Sequence, residues 1–198
     1  MATAGLRERK RKRTRQAIAR AALELFARQG FHDTTIPEIA EAADVSPRTV
    51  SGYFPAKEDL AFPYADEQLA EFERRLEARA PGETAADALR AWIPAVVEAG
   101  VEPPADVRRR RRVIDADEGL RARERRYMLR TQTVLARAFA TDLGMDVEAL
   151  EPRMAAAATI TVFELLGRDV DPGEPAAALD ALDRALVFIG GGIRALRD

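Results

Sequence analysis

Apolar residues recur along this chain at steps of three and four, while alternation of β-branched and polar residues is scarce, so each long segment reads as helix. The expected fold class is all-α, with no sheet. Near the N-terminus Ile18, Ala22, Leu25 and Phe26 stand at i, i+4, i+7 and i+8, which predicts a helix over residues 12–29 with Gly30 as its left-handed stop. Thr35 can cap a short second helix over 36–43, with Pro37 in its first turn and Ile39, Ala40 and Ala43 facing inward. Asp44 and Val45 then turn the chain. Ser46 caps a third short helix with Pro47 at its first position, and Val45 can pack on Val50 as a hydrophobic staple.

Six further helical stretches are expected, over 57–79, 84–100, 105–115, 118–143, 152–168 and from Pro175 onward, with a turn at 169–173, giving about nine helices in all. Pro63 should kink or break the first of these near Asp59, because it lacks an amide donor and its ring collides with the preceding turn. Pro94 lies inside the second. In the last segment Leu179, Leu182, Leu186, Ile189, Ile193 and Leu196 alternate steps of three and four, which is a helix-packing seam that can face another subunit or the chain's own core. Gly190, Gly191 and Gly192 interrupt it at up to about 1 kcal/mol each relative to Ala, which close backbone approach can offset. The four alanines at 155–158 offer a matching shallow surface.

A chain of 198 residues that is 47% hydrophobic can bury a core. No apolar run approaches a membrane span, and the basic N-terminus lacks the apolar segment of a signal peptide, so a cytoplasmic protein without membrane partners is expected. Cysteine is absent and His32 is the only histidine, which removes disulfides, thiolate nucleophiles, Cys/His zinc sites and histidine-dependent triads at any other position. Asp115, Asp117 and Glu118 could serve a carboxylate-based enzyme, but acids at a helix junction are also explained as caps. No catalytic residue, metal or cofactor is assigned.

The net charge of −2 conceals an uneven distribution. Arg7, Arg9, Lys10, Arg11, Lys12, Arg13, Arg15 and Arg20 face a single acid, Glu8, within the first twenty residues. Such an arm suits a polyanion, or is a solvated tail. A second run, Arg108 to Arg112, is a solvated or flexible segment, or a site for an anionic ligand.

Residues 34–54 meet the demands of a helix-turn-helix: two short helices, a tight turn, and a second helix with one small or polar side. Burying Ile39, Val45, Val50 and Phe54 leaves Arg48, Thr49, Ser51 and Gly52 near the exposed side, where the start of a recognition helix reaches base edges. Arg48 can bind guanine O6 and N7 together. Gly52 would let the backbone approach a duplex closely, and Tyr53 and Lys57 are placed to contact phosphates. The rival readings are a solvated Arg48 and a core Tyr53. A non-specific or architectural DNA binder, resting on the arm alone, also stays open.

The run from Thr34 through Ile39, Val45, Ser46, Pro47, Arg48, Gly52, Tyr53 and Phe54 to Leu60, with Ile18 to Phe31 upstream, resembles the DNA-binding signature of TetR-family transcriptional regulators. That resemblance implies a DNA-binding domain over 1–62 and a ligand-binding, dimerising domain over 63–198. It implies that the start of the second helix, at Thr35, clamps a phosphate, that Pro47, Arg48, Thr49, Ser51 and Gly52 read bases, and that Tyr53 and Lys57 anchor the backbone. Arg9, Arg11, Arg13 and Arg15 resemble the basic extensions that reach an adjacent groove. It further implies a homodimer joined through the last two helices, here Leu179, Leu182, Leu186, Ile189 and Ile193, and a palindromic double-stranded operator released on effector binding, with Pro63 as a hinge. Phe62, Phe72, Trp92, Arg110, Tyr127, Met128 and Phe163 are candidate contacts for the effector, which is anionic or acyl-CoA-like. The arm and residues 48–54 are most similar to actinobacterial regulators of the mycofactocin-system type. Two departures stand out: Arg48 and Ser51–Gly52 replace commoner residues, and Ala56 stands where a capping Ser or Thr often precedes the lysine, which could fray the next helix by about 1 kcal/mol.

Overall fold

The computed structural model describes residues 2–99, 102–169 and 175–197, and among them the chain is entirely helical and turn, with nine α-helices. Gly100 and most of the turn expected at 169–173 lie outside the described residues, as does the side chain of Leu196. The chain divides into two compact units, one made of the chain up to Ala65 together with Ala105–Glu124, the other of Asp66–Pro104 and the chain from Arg125 onward.

In the first unit α1 spans Ala2–Gln29, ten residues longer at its start than the apolar pattern predicts. Its inner face carries Ile18, Ala22, Leu25 and Phe26, all buried, and Gly30 ends it at φ +92° while donating to the Phe26 carbonyl at 3.0 Å. Helix α2 (Ile36–Ala42) starts at a capping box: Glu38 N–H donates to Thr35 Oγ1, and the Glu38 carboxylate accepts from Thr35 N–H at 2.7 Å. Asp44 takes φ +52°, a left-handed conformation that a short polar side chain tolerates, and this turn delivers the chain into α3 (Pro47–Tyr53). Ser46 Oγ accepts from Thr49 N–H at 3.0 Å, and Val50 is fully buried beside Ile39, Phe54 and Leu60.

The helix expected over 57–79 is two elements. A 3-10 turn, Lys57–Ala61, comes first, and α4 (Ala65–Glu77) follows Pro63. Ala56 gives no side-chain cap, but Asp59 supplies half of the missing box by accepting from Ala56 N–H at 2.9 Å. The unit is completed by α6 (Pro104–Asp115) and the first turns of α7 (Glu118–Leu143), whose Val113, Ile114 and Leu120 enter the same core. The sequence motifs divide the chain once, at 62/63. The compact units divide at 65/66, 104/105 and 124/125, because those three apolar residues are buried with the helix-turn-helix.

The second unit packs α4, α5 (Ala85–Ala99), the rest of α7, α8 (Leu150–Asp169) and α9 (Pro175–Arg197) around Phe72, Leu76, Leu89, Leu135, Phe139 and Ile160. Helix α9 lies on α5 and α8. Leu182, Leu186, Ile189 and Ile193 are buried in this core, so that part of the seam is intramolecular and the assignment of these four residues to a subunit interface is corrected, while Leu179 is half-buried. A Cβ at Gly190 would stand 3.3 Å from that of Ala86, which is the close approach of α9 to α5 that the glycine permits. Among the described residues, the large apolar side chains left outside on α8 and α9 are Leu150, Met154, Leu165, Val187 and Phe188, the last 83% exposed.

Asp142 joins three elements of this unit: one oxygen accepts from Arg79 at 3.0 Å and the other from Ala85 N–H, the first amide of α5, at 2.6 Å. The side chains of Arg79 and Asp142 are 11% and 5% exposed, so removing one partner strands the other's charge away from water. Asp142→Ala is expected to destabilise folding by about 3 kcal/mol, read as a lower denaturation midpoint with an unchanged slope.

Candidate nucleic-acid interface

A seven-residue helix does not stand alone in water, because nucleating a turn costs more than so few hydrogen bonds return. Helix α3 is held by burial of Val50 and Phe54 on its inner side and by the Ser46 cap at its start. Pro47 presets the first turn. What remains outside is Pro47, Arg48, Ser51 and Gly52, all exposed, with half-buried Thr49 tied to Ser46 through a 2.8 Å hydroxyl contact. A Cβ built on Gly52 would meet nothing within 4 Å, so no protein atom requires a glycine there. Tyr53 is half-buried against the core, which supports a mixed role for its ring.

Two of the expected phosphate-binding cations are used inside the protein. Lys57 Nζ donates to the carbonyls of Phe31 at 2.8 Å, Thr34 at 2.9 Å and His32 at 3.3 Å, and lies 4.5 Å from the centroid of the Phe31 ring. All three ammonium protons are therefore committed to the α1–α2 turn, and Lys57 is corrected from a phosphate anchor to a staple of that turn. Arg15 donates to the carbonyls of Pro63 at 2.9 Å and Tyr53 at 3.1 Å and stacks 4.6 Å from the Phe54 ring centroid, so it too holds the unit together rather than extending the arm. Arg9, Arg11 and Arg13 are exposed on α1.

Thr35 is exposed at the N-terminus of α2, where amide donors favour an anion. In this structure the anion is the Glu38 carboxylate, whose pKa is lowered first by the Thr35 hydroxyl, then by the Thr35 backbone amide and Gln29. The cap is thus present above the ordinary carboxylate range and is lost as pH falls through the lowered value. A phosphate at this position would have to displace or share with Glu38.

The arginine run is part of α6 and is largely engaged within its own unit. Arg109 pairs with Asp106 at 2.8 Å, Arg110 donates to the Ala61 carbonyl at 2.8 Å, and Arg111 forks onto Glu124 at 2.7 and 3.0 Å and onto Asp115 at 2.7 Å. Burial works against the charge of Arg111, but the bonds to Glu124 and Asp115 outweigh it and raise its pKa. The flexible-segment reading is corrected, since the run is helical, and Arg110 holds a carbonyl within the first unit. Asp115 pairs with Arg111, Asp117 caps α7 through Leu120 N–H at 2.8 Å, and Glu118 meets Arg121 at 2.5 Å, so these carboxylates have structural work.

Of the remaining effector candidates, Phe72, Trp92 and Phe163 meet in the second unit, with Phe72 5.7 Å from Trp92 and 6.5 Å from Phe163 between ring centroids, and Met128 packs on the same cluster. Tyr127 is half-buried with Arg130 5.7 Å from its ring centroid, whereas Phe62 belongs to the core of the first unit. A cleft of about 320 Å³ in the second unit is lined instead by Glu73, Leu76, Arg79, Val134, Arg137 and Thr141, a mixture of buried apolar and polar side chains that periodicity did not single out.

The sequence of residues 18–62 matches the family described as bacterial regulatory proteins, tetR family. The transcriptional regulator TcmR of Streptomyces glaucescens is 34% identical over 174 residues, covering 84% of this chain and 75% of that protein. The chain belongs to the TetR family. It is a DNA-binding transcriptional regulator in fold and kinship. The provisionally named mycofactocin biosynthesis transcriptional regulator MftR of Mycobacterium tuberculosis is 28% identical over 189 residues, 93% of each chain. Among solved TetR structures, Thermus thermophilus FadR in complex with lauroyl-CoA superposes with a TM-score of 0.56 at 23% identity, covering 88% of this chain and 92% of that one, which is a likeness of fold. No described helix is long and apolar enough to cross a membrane.

Within this TetR-family unit Gly52 costs helix stability and relieves no clash. Gly52→Ala is expected to raise the stability of the free protein by up to about 1 kcal/mol, measured by chemical denaturation, because the added methyl enters open space.

Proposed function

We propose that this chain is an effector-released homodimeric repressor that reads a near-palindromic operator through α3. The observation carrying this reading is that α3 is fixed by its buried side while Arg48, Ser51 and Gly52 face outward. Arg48 is the base reader, Thr49 and Ser51 add polar contacts, and Gly52 lets the backbone come close. Thr35 and Tyr53 contribute phosphate contacts, and Arg9, Arg11 and Arg13 supply sequence-independent attraction.

The homodimer is built on the outer faces of α8 and α9, where Leu150, Met154, Leu165, Val187 and Phe188 are exposed. Twofold symmetry then asks for half-sites about 34 Å apart, or a multiple of that. The effector is a small molecule received by the second unit, where Phe72, Trp92, Met128 and Phe163 supply apolar surface. An acyl-CoA-like effector is the chemical class to try first, by analogy with the lauroyl-CoA complex of FadR. Pro63, buried just before α4, remains the candidate hinge. This repressor works in the cytoplasm and carries out no turnover.

Two expected outcomes test the reading. Arg48→Ala should weaken binding to the duplex that the wild-type protein selects from a random-sequence pool by about 1–3 kcal/mol, with little effect on a scrambled duplex. If a dimer neutralises about six to ten phosphates, affinity should fall by about 10³ to 10⁵ between about 50 and 200 mM salt. Equal affinity for selected and scrambled DNA in a mobility-shift titration would instead favour the architectural reading.

A further inference from the structure

The DNA-binding unit contains a polar contact that neither packing nor base reading uses. His32 sits in the α1–α2 turn and Asp117 immediately before α7, and His32 Nε2 lies 2.8 Å from Asp117 Oδ2. The two side chains differ sharply in burial: the imidazole is 81% exposed and the carboxylate 8%. A buried carboxylate is costly unless its oxygens are bonded, and here one oxygen caps Leu120 N–H while the other meets His32. The same turn is gripped on its backbone by Lys57, and Phe31, next to His32, is buried with Phe26 at 5.1 Å between ring centroids.

We propose that the His32–Asp117 contact positions the helix-turn-helix for DNA, by locking the α1–α2 turn to the first turn of α7. The turn leads directly into Thr35 and the N-terminus of α2, and α2 in turn holds Val50 of α3 through Ile39. A shift of the turn is therefore a shift of the phosphate-facing end of α2 and of the seat of α3. Two other contacts tie α6 and α7 to the 3-10 turn: Arg123 pairs with Asp59, and Arg110 holds the Ala61 carbonyl. Those two fix the stretch after α3, whereas His32 and Asp117 fix the stretch before α2. His32 acts through Asp117 and is a positioning residue. The inference rests on the operator-reading function proposed above.

The test is a double-mutant cycle on affinity for the duplex selected by the wild-type protein, with a scrambled duplex alongside. Asp117→Ser keeps a hydroxyl able to cap Leu120 N–H and removes the acceptor for His32, and His32→Ala removes a mostly exposed ring. Each variant should lose about fivefold in specific affinity, the double variant no more than either, and His32→Gln, which retains a donor, should recover most of the loss. The melting temperature of each single variant should stay close to that of the wild type. The salt dependence should keep its slope, because no phosphate contact is removed, whereas a histidine bound directly to phosphate would lower the slope by about 0.9 per site. Multiplying losses, an unchanged affinity in both single variants, or a reduced slope on His32→Ala alone would each overturn the inference. A wild-type protein indifferent to DNA sequence would overturn the operator-reading function as well, which distinguishes the two failures.

Discussion

Burial of Val50 and Phe54 is the constraint on which the rest of this protein depends. Helix α3 has two turns, too few to persist by hydrogen bonding, so its existence and its orientation are both set by the inner side chains and the Ser46 cap. Once those are seated beside Ile39 and Leu60, the outward direction of Arg48, Ser51 and Gly52 follows from helical geometry. Function here is the complement of packing: what the core does not take is what can meet a duplex.

The same division governs the charges. Lys57, Arg15, Arg110 and Arg111 are spent on carbonyls and carboxylates of their own unit, each closing a turn or a helix end that would otherwise leave acceptors unmet. Arg9, Arg11, Arg13 and Arg48 remain at the surface. A cation's chemistry is identical in both groups, and only the three-dimensional surroundings decide whether it organises the protein or faces a partner.

The same contrast separates what is legible in the amino-acid sequence from what is not. Caps, turns and apolar steps are local, so the roles of Thr35, Ser46, Pro47 and Gly30 follow from their immediate neighbours, and the helix limits at 118 and 143 agree with the periodicity. The tertiary partner of a side chain is not local. Lys57 reaches back 26 residues to Phe31, and nothing near it in sequence announces that contact. The seam of α9 misleads in the same way, since an apolar stripe looks alike whether it meets a second subunit or, as here, α5 and α8. Gly190 is the one clue to the latter, because its missing Cβ accommodates Ala86 of the same chain. His32 and Asp117, separated by 85 residues, carry no shared signal at all.

The absence of cysteine allows the orientation of α3 to be measured directly. Ser51→Cys, carrying a short photoreactive crosslinker, should attach to bases at two positions related by a twofold axis and about one helical turn apart, or a multiple of that, on the selected duplex. Leu129→Cys, exposed in the second unit, should attach to none. Crosslinks scattered evenly along the duplex, or no crosslinks from position 51 while the complex remains intact, would contradict the assignment of α3 as the reading element.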